Sequence, residues 1–242
     1  MVVNAITKFC KFAVIPLLLG FPIAIIAYRL DIWSMGISFQ IIKYTGFISI
    51  AVLLLALGLA VFGLVKKQKP VTITGAVVAI LLAIPVVGLS MQAAKAKSLP
   101  FLHQVTTDTV NLPEFEVIVG LRGENSNPLD YDREKLAPLQ QAAYPELQTT
   151  HSDLNMIQAF NKAVNVASNL GWEIVAKDYK KGKIEAVDTT ALWAFKDDIV
   201  IRVQTTDTGS KIDLRSISRI DGSDLGANAA RVSKFITDFN AN

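Results

Sequence analysis

Cysteine is nearly absent: Cys10 is the only one in 242 residues. A lone thiol excludes a disulfide within the chain, and residues 98–242 carry no thiol chemistry. Histidine is almost as scarce. His103 and His151 are the only two, a poor zinc set without cysteine partners, so no metal site and no cofactor are expected. Acidic residues are missing from one end. Up to Lys97, nine basic residues face Asp31 alone, a net +8. The most informative absence is of charge itself. Residues 12–28, 44–65 and 71–91 contain no Asp, Glu, Lys, Arg or His. A helix crossing a hydrocarbon core about 30 Å thick needs about 20 apolar residues. Three membrane-spanning helices are therefore expected within residues 1–97, followed by a water-soluble domain over residues 98–242. The lack of ionisable groups inside the spans argues against a transporter or proton pump.

The remainder of the chain carries 15 basic and 20 acidic residues, a net −5. The sequence pI of about 8.9 thus describes the membrane flanks. An acidic domain is repelled by phosphate backbones, so no nucleic-acid partner is expected. The first partner is the lipid bilayer. Lys8, Lys11, Lys66, Lys67 and Lys69 fall on one side of it. Arg29, Lys43, Lys95 and Lys97 fall on the other, diluted by Asp31. The positive-inside rule then places the N-terminus in the cytoplasm and the soluble domain outside, in a bacterial inner membrane facing the periplasm. The first span does not read as a cleaved signal: it is long, holds Pro16 and Pro22, and lacks a small-x-small site before Arg29.

Small residues recur as Gly75, Ala79 and Ala83 on the third span, a ridge that permits close packing within the three helices or against an envelope protein partner. Pro85 is expected to bend this helix. Trp33 and Tyr44 suit the interface, and the interrupted apolar segment 32–42 is expected to lie along the outer surface.

Within the soluble part, residues 99–150 read as an irregular ordered wrap. A strand at 115–119 is followed by Asn127-Pro128, Ala137-Pro138 and Tyr144-Pro145, each disfavouring helix before the proline. A helix is expected from an N-cap at Ser152 to Gly171, with Met156, Ile157, Phe160, Ala163, Val164 and Ala167 on one side. Four strands follow at 172–178, 183–190, 198–205 and 211–220. Their turns fall at Lys181-Gly182, Lys196-Asp197 and Thr208-Gly209. A last helix over 224–239 turns Leu225, Ala229, Val232, Ile236 and Phe239 inward. The fold class is a membrane-anchored α+β protein: three transmembrane helices, then an α-β-β-β-β-α two-layer sandwich on an antiparallel sheet.

Alternation along the strands puts Ile184, Ala186, Ile199, Ile201, Val203, Ile212 and Leu214 toward the helices. The other face receives Lys183, Glu185, Asp198, Arg202, Asp213, Arg215 and Arg219. Two readings of this charged face stand. It is a ligand- or partner-binding surface with Arg202 and Arg215 as forked donors, or a ladder of ion pairs roofed by residues 99–150. A Glu185–Asp198 pair for acid–base hydrolysis is a further reading, opposed by the arginines that hold both ionised. The turn Asp221-Gly-Ser-Asp224 reads as a helix cap before it reads as an anion site. Ser216, Ser218 and Asn228, with Asp224 nearby, are expected to form a buried polar joint. Ser216 has no base near it to make a nucleophile.

The runs WAFKDDIVIR (193–202) and KIDLRSISRIDGSDLGANAAR (211–231) closely resemble the bacterial and plastid family known as domain of unknown function 1499. His103 to Asp108, Ala143-Tyr-Pro145, Gly171-Trp172 and Ile184-Glu-Ala186 add to the resemblance, which covers essentially all of residues 100–240. The three-span N-terminus resembles the alphaproteobacterial version. The resemblance implies an extracytoplasmic domain and supplies no activity or catalytic residues. A non-enzymatic binding or assembly module is expected, against an envelope hydrolase or an accessory subunit of a membrane complex.

Overall fold

A computed structural model of the chain describes every residue except Asp221 and Asn242. It divides into two compact units, residues 1–96 and 97–242.

The first unit holds three helices long and apolar enough to cross a membrane: α1 (Val2–Arg29), α2 (Met35–Val65) and α3 (Lys69–Ser98). Their apolar windows reach mean hydropathies of 2.3, 2.8 and 2.4. Each helix outruns its uncharged stretch, so Lys8, Lys11, Lys43 and Lys95 lie on helical ends. Segment 32–42 does not lie apart from the span as expected. Ser34 caps α2 by accepting the Ile37 N–H at 3.5 Å, and residues 35–42 continue the same helix. Helix contacts are close where side chains are small. A Cβ on Gly75 would fall 2.5 Å from Ala60 N, and Ala79 is buried. Gly75 and Ala79 of the small-residue ridge are therefore used inside the three-helix set. Ser38 adds a buried hydrogen bond, donating to the Ala24 carbonyl at 2.8 Å.

The second unit is an α+β fold on an antiparallel sheet. In chain order it contains β1 (Gln104–Thr106), a 3₁₀ turn (Ile118–Leu121), α4 (Arg133–Ala143), β2 (Thr150–Ser152) and α5 (Met156–Asn169). Then come β3 (Glu173–Asp178), β4 (Lys183–Thr189), β5 (Lys196–Thr206), β6 (Gly209–Ser218) and α6 (Ala227–Asn240). The four expected strands are present as β3–β6. The sheet is wider than expected, because β1 and β2 both pair antiparallel with β6, at Arg215–Ile217 and Ser210–Ile212 respectively. Two short strands laid end to end thus cover an edge that would otherwise invite pairing with another chain.

Three local expectations fail for physical reasons. Segment 115–119 is not a strand; its amides turn into the 3₁₀ turn instead. Helix α4 forms despite Pro138, with Asp132 capping it by accepting the Lys135 N–H at 3.2 Å. Lys196-Asp197 is not a turn but the start of β5; the chain reverses over 190–195, where Ala194 takes φ +56°. The helix caps also shift. Asn155, in a reciprocal capping box with Gln158, starts α5 in place of Ser152. Gly226, at φ +78°, precedes α6, so Leu225 lies outside that helix.

The face expected to meet the helices does so. Ile184, Ala186, Ile199, Ile201, Val203, Ile212 and Leu214 are buried with Phe160 of α5 and Val232, Phe235 and Phe239 of α6. Trp172 stacks on Phe235 with ring centroids 5.6 Å apart.

Candidate functional site

The opposite sheet face is closed. Val187, Val200 and Ile217 meet Phe115 and Ile118 in a second, smaller core, against which Leu129 and Val175 pack. Residues from the 99–150 segment form this cover, and the charged side chains lie under and around it.

Glu185 is 1% exposed, and among the described residues it pairs with no arginine. Its Oε1 accepts the backbone N–H groups of Glu116 and Val117 at 2.8 and 3.1 Å, and its Oε2 accepts that of Ile118 at 2.8 Å. These donors open the 3₁₀ turn, where backbone amides lack intrahelical partners, so a carboxylate satisfies them. The strand partner of Glu185 is Val200, and Val200 in turn pairs with Arg215, so an apolar residue stands between the carboxylate and that guanidinium.

Asp198 is fully buried between two guanidinium groups. Arg219 donates to Oδ1 from Nη2 at 2.7 Å and from Nε at 2.9 Å, and Arg122 donates to Oδ2. Burial holds the Arg122 pKa below its ordinary value, although the Asp198 carboxylate opposes the shift. Asp213, also fully buried, accepts from Arg202 at 2.8 Å and from the Thr107 and Thr149 hydroxyls at 3.1 and 2.6 Å. Arg202 also reaches Asp108 at 3.0 Å, while its buried Nε has no partner among the described residues. Burial raises the Asp108 pKa, but the Asn111 and Val110 amides and Arg202 together bring it below its ordinary value.

Arg215 is no rung of an ion-pair ladder: among the described residues it pairs with neither Glu185 nor Asp213. It donates to Gln104 Oε1 from Nη2 at 2.7 Å and to the Leu129 carbonyl, and its guanidinium lies 5.4 Å from the Phe115 ring centre. Neutral partners in a dry site explain why burial pulls its pKa to about 10. The six residues singled out on this face therefore share one face but form three separate clusters and one buried cation. Their roof partners Arg122, Asp108, Gln104, Thr107 and Thr149 lie tens of residues away in sequence, and no local pattern marks them.

The polar joint forms on the helical side. Ser216 Oγ donates to Asn228 Oδ1 at 2.6 Å, and Asn228 Nδ2 donates to Ser218 Oγ at 3.1 Å and to the His103 carbonyl at 3.0 Å. Asp224 accepts the backbone N–H groups of Gly226 and Asn228 at 2.9 and 2.8 Å, a capping role. Asp221, of the same turn, lies outside the described residues. Sequence reasoning missed Arg231, which organises the joint. It donates to Asn228 Oδ1 at 2.7 Å, to Asp197 at 2.5 Å and to Asp188 at 2.8 Å. Its position one helical turn after Asn228 was the available signal. Burial raises the Asp197 pKa despite Arg231.

A cavity of about 300 Å³ lies elsewhere, at the β2–β6 end, lined by His151, Asp153, Lys162 and Ser210 among others. Among the described residues no group of three or more His, Cys, Asp or Glu is placed to hold a metal ion.

No curated protein matches the chain. The family model described as "Protein of unknown function (DUF1499)" matches residues 104–239, which contain the sheet, both layers of charge and the closing helix. The chain therefore belongs to the DUF1499 family.

Proposed function

We propose that this is an inner-membrane protein holding a non-enzymatic binding or assembly module outside the cytoplasm. The observation that carries this reading is the burial of the charged face. Glu185, Asp198, Asp213 and Arg215 are 1%, 0%, 0% and 5% exposed, and each is engaged by the cover. Charges so engaged hold the cover in register and leave no open carboxylate pair for hydrolysis. Recognition then falls to the outside of the cover. There Val117, Val119 and Leu121 stand 48%, 51% and 50% exposed around the 3₁₀ turn, apolar side chains suited to an envelope protein partner.

Two experiments test this. Reporters active only outside the cytoplasm should be active when fused after the C-terminus and silent at Lys67; the reverse pattern contradicts the orientation argued from Lys8, Lys11, Lys66, Lys67 and Lys69. Replacing Val117, Val119 and Leu121 together by Asp should leave folding intact, because all three are exposed, and yield the phenotype of a gene deletion. Full function in that variant would sink the partner surface.

A further inference from the structure

On α2, the residues from Ala51 to Phe62 that recur at spacings of three and four form one stripe. With Val3 and Ile6 of α1 they wall an apolar groove of about 680 Å³. Gly58 lies at its middle. A glycine inside a helix costs about 0.5–1 kcal/mol relative to alanine. Gly63 and Gly75 have a packing reason for this, since a Cβ on either would fall 2.5 Å from a neighbouring helix atom. A Cβ on Gly58 would meet no atom within 4 Å. What its missing side chain provides is depth in the groove.

The stripe continues into charge. Lys66 falls one turn beyond Phe62 on the same side, Lys67 follows in the turn and Lys69 opens α3, all exposed. The sole acidic residue up to Lys97 is Asp31, in the α1–α2 turn at the other end of α2. We propose that the groove binds one acyl chain of an anionic phospholipid, with its phosphate held by Lys66 and the two lysines after it. Basic clusters beside grooves between membrane helices recognise lipid headgroups in this way. A partner helix fits less well. On the cytoplasmic side its own flanking Lys or Arg would meet Lys66, and a parallel second copy would bring the same three lysines. That comparison rests on the orientation proposed above. The test, made in detergent, does not, so the two can fail separately.

The full chain in neutral detergent is melted with phosphatidylglycerol or with phosphatidylcholine of identical acyl chains. Phosphatidylglycerol should raise Tm by about 3 °C or more beyond phosphatidylcholine. Gly58→Leu, whose Cβ has open space and whose side chain takes up groove volume, should not lower the lipid-free Tm and should lose that increment. Lys66→Gln with Lys67→Gln and Lys69→Gln should lower the phosphatidylglycerol response to the phosphatidylcholine level. Equal responses to the two lipids in the unmodified chain would overturn the inference. So would an increment that survives Gly58→Leu, which would place the lipid on the lysines alone. A smaller oligomer in Gly58→Leu than in the unmodified chain would also overturn it, because the groove would then be a contact between copies.

Discussion

Asp198 and Arg215 sit on the same sheet face, yet removing their charges has different consequences. Asp198→Asn leaves Arg122 and Arg219 converging on a neutral amide in a dry site. Breaking a buried pair on one side costs about 3–5 kcal/mol, and urea denaturation should show a loss of that size. Arg215→Met strands no carboxylate. It leaves the Gln104 and Leu129 oxygens without a donor, worth about 1–3 kcal/mol, and relieves the burial of a cation whose pKa is already pulled to about 10. Its loss should therefore be the smaller of the two. Equal losses below about 1 kcal/mol would mean solvated surface pairs. The sequence placed these residues on one face because strand alternation is strict. It did not reveal their partners, since Arg122 meets Asp198 across 76 residues and Thr107 meets Asp213 across 106.

At the scale of elements, periodic signals were legible and short ones were not. Helices α5 and α6 and strands β3–β6 each carry enough residues for a period to show. Strands β1 and β2 have three residues each and exist only because β6 offers them an edge. Pro138 concealed α4, where the local penalty against helix is outweighed by burial of Leu136 and Ala137. The turn after β3 was readable from Lys181-Gly182, and the structure gives the glycine two reasons. Gly182 has φ +63°, and a Cβ there would fall 2.0 Å from the Val203 carbonyl oxygen, which its own carbonyl neighbours by accepting the Val203 N–H at 2.7 Å. Gly182→Ala should thus destabilise the domain by more than the about 1 kcal/mol typical of a positive-φ glycine. Thermal melting checks this, and a loss below that value would show that the hairpin shifts freely.

At the scale of the molecule, a basic membrane unit and an acidic domain are joined in one chain, and the domain has two cores. The larger lies between sheet and helices and draws on residues of the domain alone. The smaller lies between the sheet and its cover, with Glu185 clamping the amides of Glu116, Val117 and Ile118. So clamped, the cover is part of the folded framework and not a lid over a site. Hydrogen exchange at the Val117 and Ile118 amides tests that most directly, because a lid opens locally whereas a framework opens only with the whole domain. Their opening free energy should equal that of the slowest amides of β5, and Glu185→Gln should lower both together. Fast exchange at Val117 and Ile118 while β5 stays protected would make the cover a lid and return the charged face to the solvent as a binding site.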